Sequence, residues 1–323
     1  MKRRPRVLVA ALGGTISAVP DAQGRNVPAR SAAQLVEAVP GTEEVAEVFA
    51  VDVGRTSSRA IVPADMCRLA HELESRVRGR CDGVVVTHGT DTVEETAYAL
   101  ALMLDVDVPV VVTGAMRLPH AAGTDGPANL LAALQVAVTL EVASLGPVVV
   151  MHDEIHLARA VVKSHTSRVA AFSSPGFGPA GYVSEGKVYL SSLPTGHDYL
   201  GLPGILDVRV ELIWVAAGAD GLLVDAAASV AQGLVIAGTG GGHVPPPMAD
   251  SLRAAVERGL PVVLTSRTGS GPLLEHTYGG AGSEVHLREI GVRPAGMISP
   301  LKARLRLMVG LALGKDLAEI FPV

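Results

Sequence analysis

Two glycine turns carry the residues with the most chemical promise. One reads Gly13-Gly14-Thr15 and the other His88-Gly89-Thr90-Asp91-Thr92. A threonine hydroxyl is a poor nucleophile until a neighbour takes its proton or a cation stabilises the alkoxide. Thr90 has a carboxylate beside it, Asp91, and lies where a helical pattern begins, so the helix dipole favours negative charge there. A positioned base contributes about 10²–10⁴ in rate and an oxyanion donor about 10²–10³. A site combining the two is chemically credible. On spacing alone Thr92 reads as a helix cap, whereas for Thr90 the capping and catalytic readings stand side by side.

Each turn follows an apolar run, Val7-Leu8-Val9-Ala10-Ala11-Leu12 and Val84-Val85-Val86. Such runs, ended by glycine, read as buried parallel strands. In an open parallel sheet ligands bind just beyond the carboxyl ends of the strands. Both hydroxyls are therefore expected on one rim.

The elements that would hold that rim alternate between strand and helix patterns, as in a parallel α/β sheet. Strands are expected at Val48–Val53, Val108–Val112 and Pro147–Met151, and helices at Pro63–Arg78 and Pro127–Val142. Thr92-Val93-Glu94-Glu95 matches a capping box opening the helix that carries Tyr98, Leu100, Ala101 and Leu104. Residues 173–208 are dense in Gly, Pro and Ser, with short hairpin-like runs such as Lys187–Leu190. Alternation resumes with strands Val210–Val215, Leu234–Ala237 and Val262–Thr265 and helices Asp220–Ala231, Pro247–Glu257 and Pro300–Leu313. The expected organisation is an N-terminal catalytic domain at 1–190, a linker at 191–209 and a smaller C-terminal α/β domain at 210–323.

Composition narrows the partners. The 27 basic and 32 acidic residues are interspersed, giving a net charge of −5 with no basic stripe. Nucleic acid and membrane are not expected as partners, and a small polar substrate is. The stretch Leu130–Met151 is interrupted by Gln135, Thr139, Glu141, Ser144 and Pro147, so no transmembrane helix is expected. The charged start Lys2-Arg3-Arg4 precedes an apolar run of only about six residues that leads into glycines, which reads as a strand rather than a signal peptide. Two cysteines, Cys67 and Cys81, have no metal-binding spacing and read as reduced thiols of a cytoplasmic protein.

Leu12-Gly13-Gly14-Thr15-Ile16 and Thr87-His88-Gly89-Thr90-Asp91-Thr92-Val93-Glu94-Glu95-Thr96-Ala97 resemble the two signature motifs of the bacterial L-asparaginases. The resemblance continues through Thr113–Arg117, Asp125–Leu130, Lys163–Phe172, Ser266-Arg267 and Leu301–Arg304, and so spans essentially the whole chain. It implies a larger flavodoxin-like parallel-sheet domain with a smaller C-terminal α/β domain. The implied activity is hydrolysis of L-asparagine to L-aspartate and ammonia, in asparagine catabolism, with neither metal nor organic cofactor. By resemblance Thr15 is the nucleophile, Thr90 the second hydroxyl with Lys163 poised against it, and Asp91 the grip on the substrate's α-ammonium. Ser58 holds the α-carboxylate, with Ser57 as its rival, and the backbone of Ala115 faces the leaving nitrogen. Self-association as a homotetramer or dimer is implied as well, each site being closed by a neighbouring subunit's glutamate, for which Glu275 and Glu284 are candidates.

Several features depart from the family pattern. No tyrosine occurs in residues 16–30, where the family often has one, and Arg25 falls near its place. Arg59 stands where glutamine is common, and Gly238-Thr239-Gly240-Gly241-Gly242-His243 lacks an asparagine often seen there. Alternatives are therefore a glutaminase-asparaginase of mixed specificity, or a catalytically silent amino-acid-binding relative. The amide-transferring relatives that act on transfer RNA carry a domain ahead of the first motif, for which Thr15 lies too near the start. The polar loop Ser17–Arg30 reads as a lid over Thr15. His152 and His156 mimic a helical metal pair, but Asp153 follows the first histidine where the zincin motif needs glutamate. His88 reads as an orienting residue and Asp125 as a helix-capping carboxylate.

Overall fold

Val, Ala and Leu fill the interior, and the core strands are covered on both faces. In β1 (Arg6–Gly13) everything from Val7 onward is buried, as is all of β5 (Gly83–Thr87). Runs of this kind suit a sheet with helices on both sides. The computed structural model describes residues 3–191 and 198–322.

The chain folds as two compact units, Met1–Leu202 and Pro203–Val323. The expected linker, 191–209, includes residues 192–197, which lie outside the described residues. In the first unit β1 is followed by a small antiparallel hairpin, β2 (Ala18–Pro20) and β3 (Asn26–Pro28). Then come β4 (Glu47–Thr56), β5, β6 (Val110–Thr113), β7 (Val148–Met151) and β8 (Glu154–Leu157). Next are the short pair β9 (Val162–Lys163) and β10 (Phe172–Ser173), then β11 (Gly181–Ser184) and β12 (Lys187–Leu190). Among the described residues the main sheet runs β12-β11-β8-β7-β6-β5-β1-β4. Its parallel part, β4-β1-β5-β6-β7, has the flavodoxin-like order 2-1-3-4-5.

That order places the topological switch point between β1 and β5. The chain leaves β1 toward β4 on one side and returns to β5 on the other, and it is at such a reversal that ligands bind in sheets of this order. On one face Val85, Val111 and Val148 pack with Leu130, Ala133, Leu134 and Ala137 of the helix Gly126–Ala137. The helix Val93–Met103, buried along its length, lies against β6 and β7.

Three expectations need correction. The sheet is extended by antiparallel strands: β7 turns directly into β8, and β11 and β12 continue the edge. β11 and β12, in the glycine-rich 173–208 segment and within the expected domain 1–190, thus continue the sheet of the first unit. The expected helix Pro127–Val142 ends at Ala137, because Thr139 adopts an extended conformation and a 3-10 run, Leu140–Leu145, follows. Asp220–Ala231 shortens to a helix at Leu222–Ala228.

The second unit is a parallel sheet, β13 (Val210–Trp214), β14 (Gly233–Gly238), β15 (Val262–Ser266) and β16 (Arg293–Pro294), in that spatial order. Helices Pro246–Glu257 and Pro300–Ala312 cover it. An additional short helix, Glu284–Glu289, follows the Ser283 cap.

Candidate active site

The loops after β1 and β5 meet glycine to glycine. A Cβ at Gly14 would stand 2.3 Å from both Cα and N of Gly89, so only glycine permits this approach. Gly14 also has φ 85°, a left-handed conformation costly for any side chain. Thr15 opens a 3-10 turn, Thr15–Ser17, in which the Ser17 hydroxyl and backbone N–H donate to the Gly14 carbonyl. Thr15 is half-buried, and its hydroxyl makes no hydrogen bond among the described residues.

His88 fixes the second turn. It is wholly buried, with Nδ1 2.6 Å from the Gly89 carbonyl and Nε2 2.9 Å from the Thr96 hydroxyl. Burial pushes its pKa down to about 4, against the opposing pull of the Gly89 carbonyl. The ring is neutral and donates to Gly89, which leaves Nε2 to accept from Thr96. Both ring nitrogens are thereby engaged in orienting backbone and helix.

Thr90, 6% exposed, accepts a hydrogen bond of 3.0 Å from Lys163 Nζ. The same ammonium lies 2.7 Å from Asp91 Oδ1. Lys163 reaches this point from β9, whose backbone N–H donates to Glu94 on the helix that follows Thr90. One cation therefore serves a hydroxyl and a carboxylate. The Asp91 side chain is 60% exposed, and its second oxygen has no protein partner among the described residues.

Ser58, 4% exposed, touches the same turn: its hydroxyl accepts from Asp91 N–H at 3.3 Å. Of the two serines, Ser58 is the one whose hydroxyl is hydrogen-bonded here, while Ser57 stands at the N-cap position of the short 3-10 run Ser58–Ala60 without a side-chain capping bond. A Cβ at Gly89 would lie 2.6 Å from Ser58 Oγ. The expected capping box at Thr92 does not form, because the Thr92 hydroxyl donates instead to the Ser58 carbonyl at 2.9 Å. Thr92 thus ties two turns together across 34 residues of chain.

The third turn, after β6, carries Ala115, 1% exposed. Asp125 occupies the N-cap position of the helix Gly126–Ala137 but does not cap it. Its carboxylate accepts from Met116 and Arg117 N–H at 2.9 and 2.8 Å and from Asn129 Nδ2 at 3.0 Å. Asn129 also donates to the Gly114 carbonyl and accepts from His152 N–H. This network was missed as a positioning device; its signal is the Asp125/Asn129 spacing of four, which sets both on one helix face.

Other candidates fall elsewhere. Arg25 is engaged with Asp21 and Gln23 at the exposed turn of the β2–β3 hairpin, and Arg59 is exposed. His152 and Asp153, both with positive φ, form the β7–β8 turn, so the two histidines share no helix. His156 is buried with Nδ1 3.0 Å from the Ser174 hydroxyl, and burial lowers its pKa. In the second unit the Gly238–His243 loop closes on itself through Thr239 and His243, whose Nε2 lies 2.9 Å from Glu284 Oε2. Glu284 is buried; burial raises its pKa, but hydrogen bonds from Tyr278 and Thr277 N–H and from His243 bring it below the usual carboxylate value. Glu275 is exposed beside Arg288.

A cavity of about 400 Å³ opens on Asp91, Glu94 and Lys163, room enough for an amino acid, though its lining stops short of Thr15. An ammonium-bearing ligand would find an exposed carboxylate there. A hydroxyl backed by a cation stands beside it, with a second hydroxyl two glycines away.

Residues 6–195 match the family model described as asparaginase, N-terminal, and residues 209–321 match that of the glutaminase/asparaginase C-terminal domain. A probable L-asparaginase of Deinococcus radiodurans is 41% identical over 98% of this chain and 97% of its own length. L-asparaginase 2 of Escherichia coli is 33% identical over 98% and 91%. A glutaminase-asparaginase of Acinetobacter glutaminasificans is 32% identical over 97% of each.

Proposed function

Since the chain belongs to the asparaginase family, we propose that it is an L-asparagine amidohydrolase in which Thr15 is the nucleophile. The observation supporting this reading is the pairing of Lys163 Nζ with both Thr90 Oγ1 and Asp91 Oδ1, one glycine contact away from Thr15. The Asp91 carboxylate receives the substrate's α-ammonium and Ser58 its α-carboxylate, which sets the side-chain amide over Thr15. Thr15 Oγ1 bonds to the amide carbon, and its proton ends on the nitrogen that leaves as ammonia. Backbone N–H groups near Gly14 and Thr90 hold the oxyanion. Water then cleaves the acyl-enzyme, restoring the Thr15 hydroxyl and releasing L-aspartate. The Lys163 cation stabilises a deprotonated Thr90 hydroxyl or the attacking water, since a nearby positive charge favours the anionic form.

Ammonia release from asparagine and from glutamine tests this. Wild type turns over asparagine, while Thr15→Ala and Thr90→Ala each lose at least about 10²-fold in kcat. Comparable glutamine turnover would favour mixed specificity, a reading prompted by the Acinetobacter relative's name. A wild type that binds aspartate without turnover would establish the silent relative.

The β2–β3 hairpin is proposed as the lid. Its return strand is tied to the nucleophile turn, because Ala29 and Arg30 N–H both donate to the Ser17 carbonyl. Self-association as a homotetramer or dimer is likewise proposed, checked by light scattering of the eluted protein. A cytoplasmic location is proposed because Cys67 and Cys81 are not joined in a disulfide, and fractionation that finds the chain outside the cytoplasm would reject it.

A further inference from the structure

We propose that the apolar cavity behind the Thr15 turn binds a short aliphatic monocarboxylate, at a site separate from that of asparagine. The cavity holds about 150 Å³; Ile16, Leu35, Ala115 and Leu130 form much of its wall, and Arg30 and Thr124 also line it. An apolar cavity of about this volume accommodates benzene in an engineered protein, so four to six carbons, roughly, is the matching size.

Two observations select the headgroup. The half-buried Arg30 side chain makes no hydrogen bond or ion pair among the described residues, and a guanidinium pairs bidentately with a carboxylate. Among the described residues no acidic side chain lines the cavity, and the neighbouring Asp125 carboxylate faces Met116 and Arg117 N–H instead. An anion with an apolar tail fits; a cation does not.

The cavity also adjoins the catalytic backbone. Ile16 follows Thr15 directly, and a Cβ at Gly126 would meet Ile16 Cγ1 at 3.1 Å and Ala115 Cβ at 3.4 Å. An occupant therefore touches two of the turns that form the candidate active site.

The test titrates 3-methylbutanoate into the full-length chain with saturating L-aspartate present to occupy the substrate site. Calorimetry reads the affinity, and methyl NMR reads the location. The expected result is one site per chain, with shifts at the Ile16, Ala115 and Leu130 methyls. Arg30→Gln, or replacing the acid by neutral 3-methylbutanamide, weakens binding about tenfold or more, the range of a charge-assisted hydrogen bond. Absence of binding, binding without those methyl shifts, or affinity untouched by Arg30→Gln overturns the proposal. The site does not depend on the asparaginase reading: 3-methylbutanoate binding with aspartate failing to bind supports this pocket and counts against that reading.

Discussion

Lys163→Met separates a catalytic cation from a structural one. The ammonium makes one contact with buried Thr90 at 3.0 Å and one with Asp91 at 2.7 Å. The Asp91 side chain is 60% exposed, so that ion pair is solvent-screened and stabilises the fold by only about 0.2–1 kcal/mol. The Thr90 hydrogen bond adds about 0.5–1.5 kcal/mol. Methionine keeps the aliphatic stem packed, so the folding cost totals about 1–2 kcal/mol, and at about 2–4 °C per kcal/mol the melting temperature falls by only a few degrees. Loss of a charge-stabilising or proton-handling group costs much more in the barrier, about 10²–10⁴ in kcat, or about 2.7–5.5 kcal/mol. Ammonia release under saturating asparagine, beside a thermal melt, measures both quantities. If Lys163→Met keeps kcat within about threefold of wild type while folding normally, the cation has no role in turnover and the mechanism fails.

Other perturbations probe how the turns are held. Gly14→Ala places a methyl 2.3 Å from Gly89 backbone at φ 85°, so it destabilises by about 1–3 kcal/mol and abolishes turnover; wild-type urea midpoint and activity would contradict the glycine contact. Asp125→Ala orphans two backbone donors at about 1–3 kcal/mol each and lowers kcat through Ala115, with Asp125→Asn recovering part of both in the same assays. His88, at about 4 when folded and 6.5 when not, binds fewer protons in the folded state between these values, so stability is fully present above pH 6.5 and falls toward pH 4. Its share is on the order of 3 kcal/mol, and an NMR signal from His88 that titrates near pH 6.5 would refute it. For the lid, trypsin cleavage at exposed Arg25 should be suppressed by aspartate, and unchanged cleavage would argue against closure.

Which features could be read from the residues follows from what each depends on. The strands β1, β5, β6 and β7 were legible because burial on both faces leaves uninterrupted β-branched runs. The reversal from β7 into β8 was not, since its turn uses His152 and Asp153 at positive φ, where glycine is the usual marker, whereas β12 showed as a hairpin-like run. The end of the helix at Ala137 was hidden in an apolar, β-branched run; there the Thr139 hydroxyl bonds back to the Gln135 carbonyl. At the site, Thr15, Thr90 and Asp91 could be placed at strand ends from pattern alone. Lys163 could not, because it stands on a two-residue strand without periodicity, and only family resemblance singled it out. The capping box at Thr92 misled because a local motif competes with a long-range partner, the Ser58 carbonyl, that no window of sequence contains.

The three turns at the switch point are not fixed alike, and the difference bears on how the site works. The turn after β5 is clamped by buried His88, by Ser58 and by Lys163. The turn after β6 is clamped by Asp125 and Asn129. The turn bearing Thr15 is held mainly from within its own segment: by the Ser17 bonds to Gly14 and the hairpin attached through the Ser17 carbonyl, besides its glycine contact. Preorganised groups that stabilise developing charge gain from rigidity, because their dipoles need no reorganisation at the moment of reaction. A nucleophile coupled to a lid gains from the opposite arrangement, since its approach can then be timed to the exclusion of water. Stiffening the hairpin should therefore slow turnover while leaving aspartate affinity nearly intact. Stiffening the Asp125 loop, already held by three hydrogen bonds to one carboxylate, should change neither.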